Sequence, residues 1–307
     1  MKKKIVIGSR GSGLALIQAK SVLTGLRELN PGIEFSLTPI TTRGDREINV
    51  PLIRIAGDGI FVKELEEALL DRRIDLAVHS LKDMPTQIPD ELSLAAVGAR
   101  LDPRDVLITR GEKLADMAAG SRIGTGSLRR MAQLFNCRPE LKIEAIRGNV
   151  ETRLQKVTSG DFDGVVLAAA AMIRLGWGTS VTEYLPTEHF LPAVGQGALG
   201  LEIRSDDEQL KELVSAINHR PTWCSVVAER AFLLALGGGC RAPIAALGIV
   251  QGDTLELEGM VADTMGRSIL RSSEIGNASD PEHLGVRLAR KMLEAGASQI
   301  LAEVDAQ

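Results

Sequence analysis

Aromatic residues are scarce in this 307-residue chain, at 3%. Cysteine is scarce as well, with Cys137, Cys224 and Cys240 far apart and no CxxC pair among them. That usage offers no disulfide framework and points to a reducing cytoplasm. The four histidines, His79, His189, His219 and His283, show no metal-ligand spacing, so no metal site is expected. No apolar run is long enough to span a membrane, and the one after Lys2-Lys3-Lys4 stops at Gly8 and Arg10, too soon for a secretory leader. A basic excess is also lacking. Against 40 Asp+Glu stand 36 Lys+Arg, a net charge of −4, which argues against a nucleic-acid-binding surface. Arginines that cluster are then local features with a purpose of their own.

What is present begins with length, which is enough for two or three domains. Lys4 to Gly8 reads as a buried strand, followed by a glycine-rich turn and a helix from about Leu14 to Leu29. Glu34 to Thr41 alternates like a strand, Thr42 to about Gly59 reads as a loop, Phe61 to Arg72 has helical spacing, and Asp75 to His79 is a short apolar strand. A second set follows Asp102-Pro103-Arg104, with strands near Val106–Thr109, Arg122–Gly124, Lys142–Ile146 and Gly164–Leu167. Helices near Ser127–Cys137, Val150–Ser159 and Ala168–Leu175 lie between them. Ala198 to Arg204 looks like a strand returning to a sheet, with a helix from about Asp206 to Ile217. The tail differs: a helix over Thr222–Leu236, β-like runs Ile244–Val250, Thr254–Ala262 and Ser268–Ile275, and a closing helix from about Pro281 to Ala295 capped by Ser279 or Asp280. The fold class expected is α/β, two lobes with largely parallel sheets and a smaller C-terminal α+β domain.

Gly8-Ser9-Arg10-Gly11-Ser12-Gly13 and Gly124-Thr125-Gly126-Ser127-Leu128-Arg129-Arg130 sit where phosphate loops would. Both fail the dinucleotide and P-loop spacings. What remains at each is a helix N-terminus with a serine and arginine, which favours an anion, or an ordinary capped helix. Arg147-Gly148-Asn149 and Arg153 add a third such junction, and Arg174 ends a helix. Arg10, Arg129, Arg130, Arg147 and Arg153 thus fall at the carboxyl edge of predicted sheets, where open α/β folds bind ligands. Guanidinium groups pair with carboxylates, so a ligand with several carboxylates suits the set; scattered surface arginine is the plain alternative.

His79-Ser80-Leu81-Lys82-Asp83-Met84-Pro85 ends another strand. Lys82 and Asp83 could be a surface ion pair. In a cleft dense with arginine, Asp83 is also the nearby group able to move a proton or steady a developing cation. Finally, Leu236-Gly237-Gly238-Gly239-Cys240-Arg241 strips side-chain cover from the approach to a cysteine whose neighbour could favour the thiolate. The local alternative is a helix C-cap with a flexible turn.

These motifs, with Leu191-Pro192-Ala193-Val194-Gly195-Gln196-Gly197, occur in an order that closely resembles the porphobilinogen deaminase (hydroxymethylbilane synthase) family from Ile5 to the C-terminus. The resemblance implies two periplasmic-binding-protein-like lobes around an active cleft, residues 1–99 with 198–218 and residues 100–197, and a third domain, 219–307, that carries a cofactor cysteine. It implies a covalent dipyrromethane on Cys240, onto which four porphobilinogen molecules are condensed head to tail with loss of ammonia before hydroxymethylbilane is released. By the same carry-over Asp83 is the catalytic carboxylate, assisting loss of the amino group and stabilising azafulvene and pyrrole cations. Ser80, Lys82, Thr125, Ser127, Arg129, Arg130, Arg147 and Gly148 hold the cofactor, and Arg10, Ser12, Gln18, Phe61, Arg153, Arg174 and Gln196 meet the substrate. It implies a monomer, without nucleic-acid or membrane partners, that passes its product to uroporphyrinogen-III synthase. The chain departs from the family pattern at Gly13 (commonly proline), Gly126 (commonly serine) and Asp58 (usually lysine). Two rival readings are a non-catalytic two-lobed protein for polycarboxylate anions, which leaves Asp83 and Cys240 idle, and a thiol-dependent hydrolase, which lacks a local histidine partner for Cys240.

Overall fold

The computed structural model describes residues 3–46, 59–237 and 242–305. The first lobe opens with strand β1 (Lys4–Arg10), helix α1 (Gly13–Leu29), strand β2 (Glu34–Ile40) and a single helical turn α2 (Arg43–Arg46). Helix α3 (Lys63–Leu70) and strands β3 (Leu76–Ser80) and β4 (Leu92–Val97) follow. Ile5 and Ile7 of β1 and Leu76 to His79 of β3 are buried, as expected for parallel strands covered on both faces. Helix α1 turns Ala19, Val22, Leu23 and Leu26 onto them at helical spacing.

The second lobe runs β5 (Asp105–Thr109), β6 (Arg122–Gly124), α4 (Leu128–Cys137), β7 (Lys142–Glu144), α5 (Val150–Thr158), β8 (Gly164–Ala168), α6 (Ala169–Leu175) and β9 (Glu183–Tyr184). The chain then re-enters the first lobe as β10 (Leu199–Arg204) and α7 (Glu208–Ser215). Sheet orders β2-β1-β3-β10-β4 and β7-β6-β8-β5-β9 are one plan used twice. The first three strands of each are parallel, and the last two pairings are antiparallel. The expected parallel character therefore holds for only part of each sheet. The reason is the crossing: β10 and β5 each arrive from the other lobe and enter at the carboxyl edge, Leu199 opposite Ser80 and Asp105 opposite Ala168.

The two crossings, residues 98–104 and 185–198, run side by side. Leu101 N–H donates to Gly197 O (3.2 Å), and Arg100 Nε donates to Gln196 O (2.8 Å). Gly197 has φ +92, and a Cβ there would come within 2.6 Å of Leu101 O, so this contact requires glycine.

The C-terminal unit pairs helix α8 (Arg220–Ala235) with a sheet of β11 (Ile244–Gln251), β12 (Thr254–Ala262) and β13 (Ile269–Asn277), joined in antiparallel hairpins. Helix α9 (Pro281–Met292) packs beside α8, burying Phe232, Leu284, Leu288 and Met292 with Leu257 of the sheet. The closing helix does not stop at Ala295 as the sequence suggested. A wide turn at Leu293–Ala297, with Gly296 at φ +108, redirects it into α10 (Ser298–Asp305). Asp280 stands at the N-cap position of α9 without a capping bond; its carboxylate meets His283 Nδ1 at 2.9 Å instead.

Candidate active site

Four helix or turn starts converge on the cleft between the lobes. After β1, Arg10 leads to Ser12, whose side chain caps α1 by accepting from Ala15 N–H (3.4 Å). Gly13 opens α1 with free space around it, so the cap survives without the family's proline. In the second lobe Ser127 caps α4, accepting from Arg130 N–H (3.4 Å), and Asn149 caps α5, accepting from Thr152 N–H (2.8 Å). Thr125 is fully buried, its Oγ1 accepting from Ser127 N–H (3.3 Å).

The turn after β3 is a single 3₁₀ turn, Leu81–Asp83, ended by Met84 in an extended conformation, as the proline at position 85 demands. Leu81 N–H donates to Ala198 O and Met84 N–H to Leu81 O, both 3.1 Å. Lys82 and Asp83 are thereby held at the carboxyl edge of the first sheet, half-buried. Lys82 Nζ reaches Gln196 Oε1 at 3.3 Å. Burial, then the Arg130 charge, push the Lys82 ammonium down to about 8 against the pull of Asp83 and Asp105.

A groove runs past these groups in two halves that share Gln18 and Ser80. Ser80 Oγ is hydrogen-bonded to the Gln18 amide (2.9 Å). Arg10, Phe61, His79 and Asp83 line one half, and Lys82, Arg174 and Gly197 line the other. Asp83 is the one carboxylate among those lining residues.

The cations divide into two kinds. Arg129 and Arg130 are almost fully buried and point inward, at Asp105 (2.7 Å each) and at the Leu191 and Val166 carbonyls. Gln196, also fully buried, donates to Pro103 O (2.7 Å) and Asp105 (2.9 Å). Arg10 pairs with Asp45 (2.5 Å) and stacks on Phe61, 4.0 Å from the ring centroid. Arg153 and Arg174 differ. Each donates to one backbone oxygen, Gly148 O and Gly197 O, at 2.9 Å, and neither has an ion pair with a described residue. Burial pushes both guanidinium groups down to about 10, for Arg153 with added repulsion from Arg130 and Arg147. Burial lowers Arg147 too.

Sequence reasoning gathered these residues on one edge but did not foresee the inward orientation of Arg129, Arg130 and Gln196. It missed Asp105, their buried counter-ion, held ionised against burial by both arginines. It also missed Glu229 of α8, fully buried, which accepts from Arg100 through both oxygens (2.6 and 2.8 Å) and from the amides of Gly195 (2.7 Å) and Gly248 (2.8 Å). No local pattern marks either carboxylate, because their partners lie far along the chain. Cys240, Arg241 and Asp58 lie outside the described residues. Up to that boundary α8 ends in the expected cap, with Gly237 at φ +67. Among the described residues no cluster could hold a metal ion and no helix is long and apolar enough to cross a membrane. His79 is bonded to Glu202 (2.9 Å), His219 caps α8 and His283 meets Asp280.

A cleft between two α/β lobes, floored by buried cations and with one carboxylate among its described lining residues, defines a protein that handles a polyanion and can move protons beside it. Residues 5–212 match the family described as "Porphobilinogen deaminase, dipyromethane cofactor binding domain", and residues 223–294 match "Porphobilinogen deaminase, C-terminal domain". The chain is 50% identical to the porphobilinogen deaminase of Geobacter metallireducens, over 98% of this chain and 95% of that protein. It is 50% identical to that of Moorella thermoacetica, over 99% and 97%. Among solved structures it is similar to a putative methionine-binding lipoprotein of Bacillus subtilis, at a TM-score of 0.45 and 13% identity over 71% of this chain and 90% of that one, a likeness too loose to support any conclusion. The chain belongs to the porphobilinogen deaminase family.

Proposed function

We propose that this chain is a hydroxymethylbilane synthase, joining four porphobilinogen molecules head to tail onto a dipyrromethane carried by Cys240. The observation that carries the reading is the pair of half-buried cations without a carboxylate partner among the described residues, Arg153 and Arg174, beside Lys82 and Asp83. Charges buried that way are unfavourable until an anion arrives. An acetate and a propionate on every pyrrole ring suit them, and a non-catalytic anion binder has no use for Asp83.

The donor set fits the dipyrromethane: Lys82, Ser127, Arg147 and Gly148 lie at helix and turn starts where carboxylates are favoured. When bound, that group supplies the free pyrrole carbon to which the first substrate is joined. Arg129 and Arg130 act mainly through their field, since their described bonds are internal and the Arg130 charge still bears on Lys82 and Arg153. Arg10, Ser12, Gln18, Phe61, Arg153 and Arg174 orient the incoming substrate. Asp83 holds a negative charge beside the substrate methylene as ammonia leaves and accepts the proton that the attacking ring carbon loses. Gln196 keeps Lys82 in register.

On this reading the division is 1–99 with 198–218, 100–197 and 219–307, and the protein works as a cytoplasmic monomer that hands its product to uroporphyrinogen-III synthase. The test is the intact mass of protein made in a porphyrin-producing host, combined with turnover of porphobilinogen by wild type and Asp83→Asn. A dipyrromethane on Cys240, active wild type and nearly inactive Asp83→Asn are expected. An unmodified Cys240 with no turnover overturns the activity, and wild-type rates in Asp83→Asn remove that residue from its role.

A further inference from the structure

Arg230 lies on α8 and not on the cleft wall, yet it touches the segment that follows Asp83. Its guanidinium donates to three consecutive backbone oxygens, Met84 O (3.2 Å), Pro85 O (2.6 Å) and Thr86 O (3.2 Å). It forms no ion pair with a described residue. Burial pushes it downward, with the Glu202 charge opposing. A partly buried cation used on peptide carbonyls alone is unusual, because a carboxylate would stabilise it better. Such an arrangement makes sense where the backbone it holds must not move.

A second contact lies on the same face of α8. Val226, one turn earlier, packs in a buried cluster with Leu81, Met84, Val97 and Ala198. Val226 thus packs against Leu81 and Met84 of the turn, and Arg230 on the same helix face holds the backbone that follows it. The same helix carries Glu229, which binds both inter-lobe crossings through Arg100 and Gly195, and it ends at Ala235, shortly before Cys240.

We propose that Arg230 is a positioning residue for the reaction: it fixes the Met84–Thr86 backbone to α8, and so sets the place of Asp83 relative to the C-terminal unit that carries Cys240. This rests on the roles given above to Asp83 and Cys240. Arg230 touches neither substrate nor cofactor. Displacing a proton-handling group by about 1 Å costs on the order of a hundredfold in rate, so a loosened turn lowers kcat while substrate grip by Arg10, Arg153 and Arg174 keeps KM.

The test uses holoenzyme of Arg230→Met, which keeps the alkyl stem but no donor, and Arg230→Lys, whose ammonium lacks the planar fork. Cofactor content is measured by intact mass, kcat and KM on porphobilinogen, and amide hydrogen exchange over residues 80–87. Expected are full cofactor content, KM within about twofold of wild type, and kcat lowered about thirtyfold in Met and about fivefold in Lys. Exchange at the Met84 amide should quicken in the same order. Wild-type kcat in either cofactor-bearing variant, or unchanged exchange over 80–87, overturns the proposal. If Arg230→Met does not fold, Arg230→Lys decides on the same readings. An inactive wild-type holoenzyme, or an active Asp83→Asn, would instead fault the underlying reading.

Discussion

Lys82 Nζ and Gln196 Oε1 lie 3.3 Å apart, joining the turn that bears Asp83 to the crossing that returns from the other lobe. Through its amide nitrogen Gln196 also reaches Asp105, the counter-ion of Arg129 and Arg130. One uncharged side chain therefore connects the cations of both lobes.

The Lys82 ammonium, pushed down to about 8, makes anion binding pH-dependent. Only its charged form attracts a carboxylate, and a bound carboxylate draws its pKa back up. Non-covalent capture of the cofactor's carboxylates by cofactor-free protein should therefore weaken as pH climbs through 8, by about tenfold between pH 7 and 9. In Lys82→Met that fall should flatten; an unchanged slope assigns it to another group. For stability the sign is opposite. The folded pKa lies below the unfolded value of 10.5, so the unfolded chain holds the proton more tightly. Lys82 thus contributes a rise in ligand-free stability between about pH 8 and 10.5.

Replacing Asp105 by Asn leaves two buried guanidinium groups without a counter-charge. Breaking a buried pair in this way costs about 3–5 kcal/mol. A thermal midpoint lower by on the order of 10 °C should follow. Calorimetric melts of the variant beside wild type check it.

Arg174→Gln should behave differently. Its guanidinium is depressed to about 10 by burial and has no ion pair with a described residue. Removing a half-buried cation without a described counter-ion should leave the melting point unchanged or raise it by a few degrees, while KM for porphobilinogen rises severalfold. A variant that loses stability would show that Gly197 O needs that donor more than the fold resents the charge.

Glu229→Gln tests the junction of the C-terminal unit with both crossings. The amide keeps one acceptor oxygen and turns its nitrogen toward the Arg100 guanidinium or a backbone N–H. The expected loss is about 3–5 kcal/mol, read from denaturant unfolding, with faster proteolysis within residues 98–104 and 185–198.

Much of this was legible in the chain. Ser12, Ser127 and Asn149 each sit one residue before a helix that follows a strand, so local capping chemistry put three anion-favouring helix starts at the carboxyl edges of the two sheets. The Lys82-Asp83 turn was legible too, because Pro85 stops any longer helix. Other features depend on distant partners. Strand β4 has no clean alternation and is fixed by pairing with β10, from the far side of the other lobe. The inward turn of Arg129 and Arg130 follows from Asp105, and the grip of Arg230 on Pro85 reaches across 145 residues of chain. Chain-local spacing carries no trace of either.

The paired crossings set what the lobes can do as bodies. Two connections bonded side by side, at Leu101 with Gly197 and Arg100 with Gln196, behave as the pin of a door hinge and not as a tether. A hinge of that kind would let the lobes swing about its line while keeping them from sliding apart along it. Groups beside the pin, Lys82 and Gln196, would keep their separation through such a swing. Arg10, whose bonded partners all belong to the first lobe, travels with its own leaf. A lengthening chain of rings would then be registered at its hinge end while its outer carboxylates meet a mouth of adjustable width.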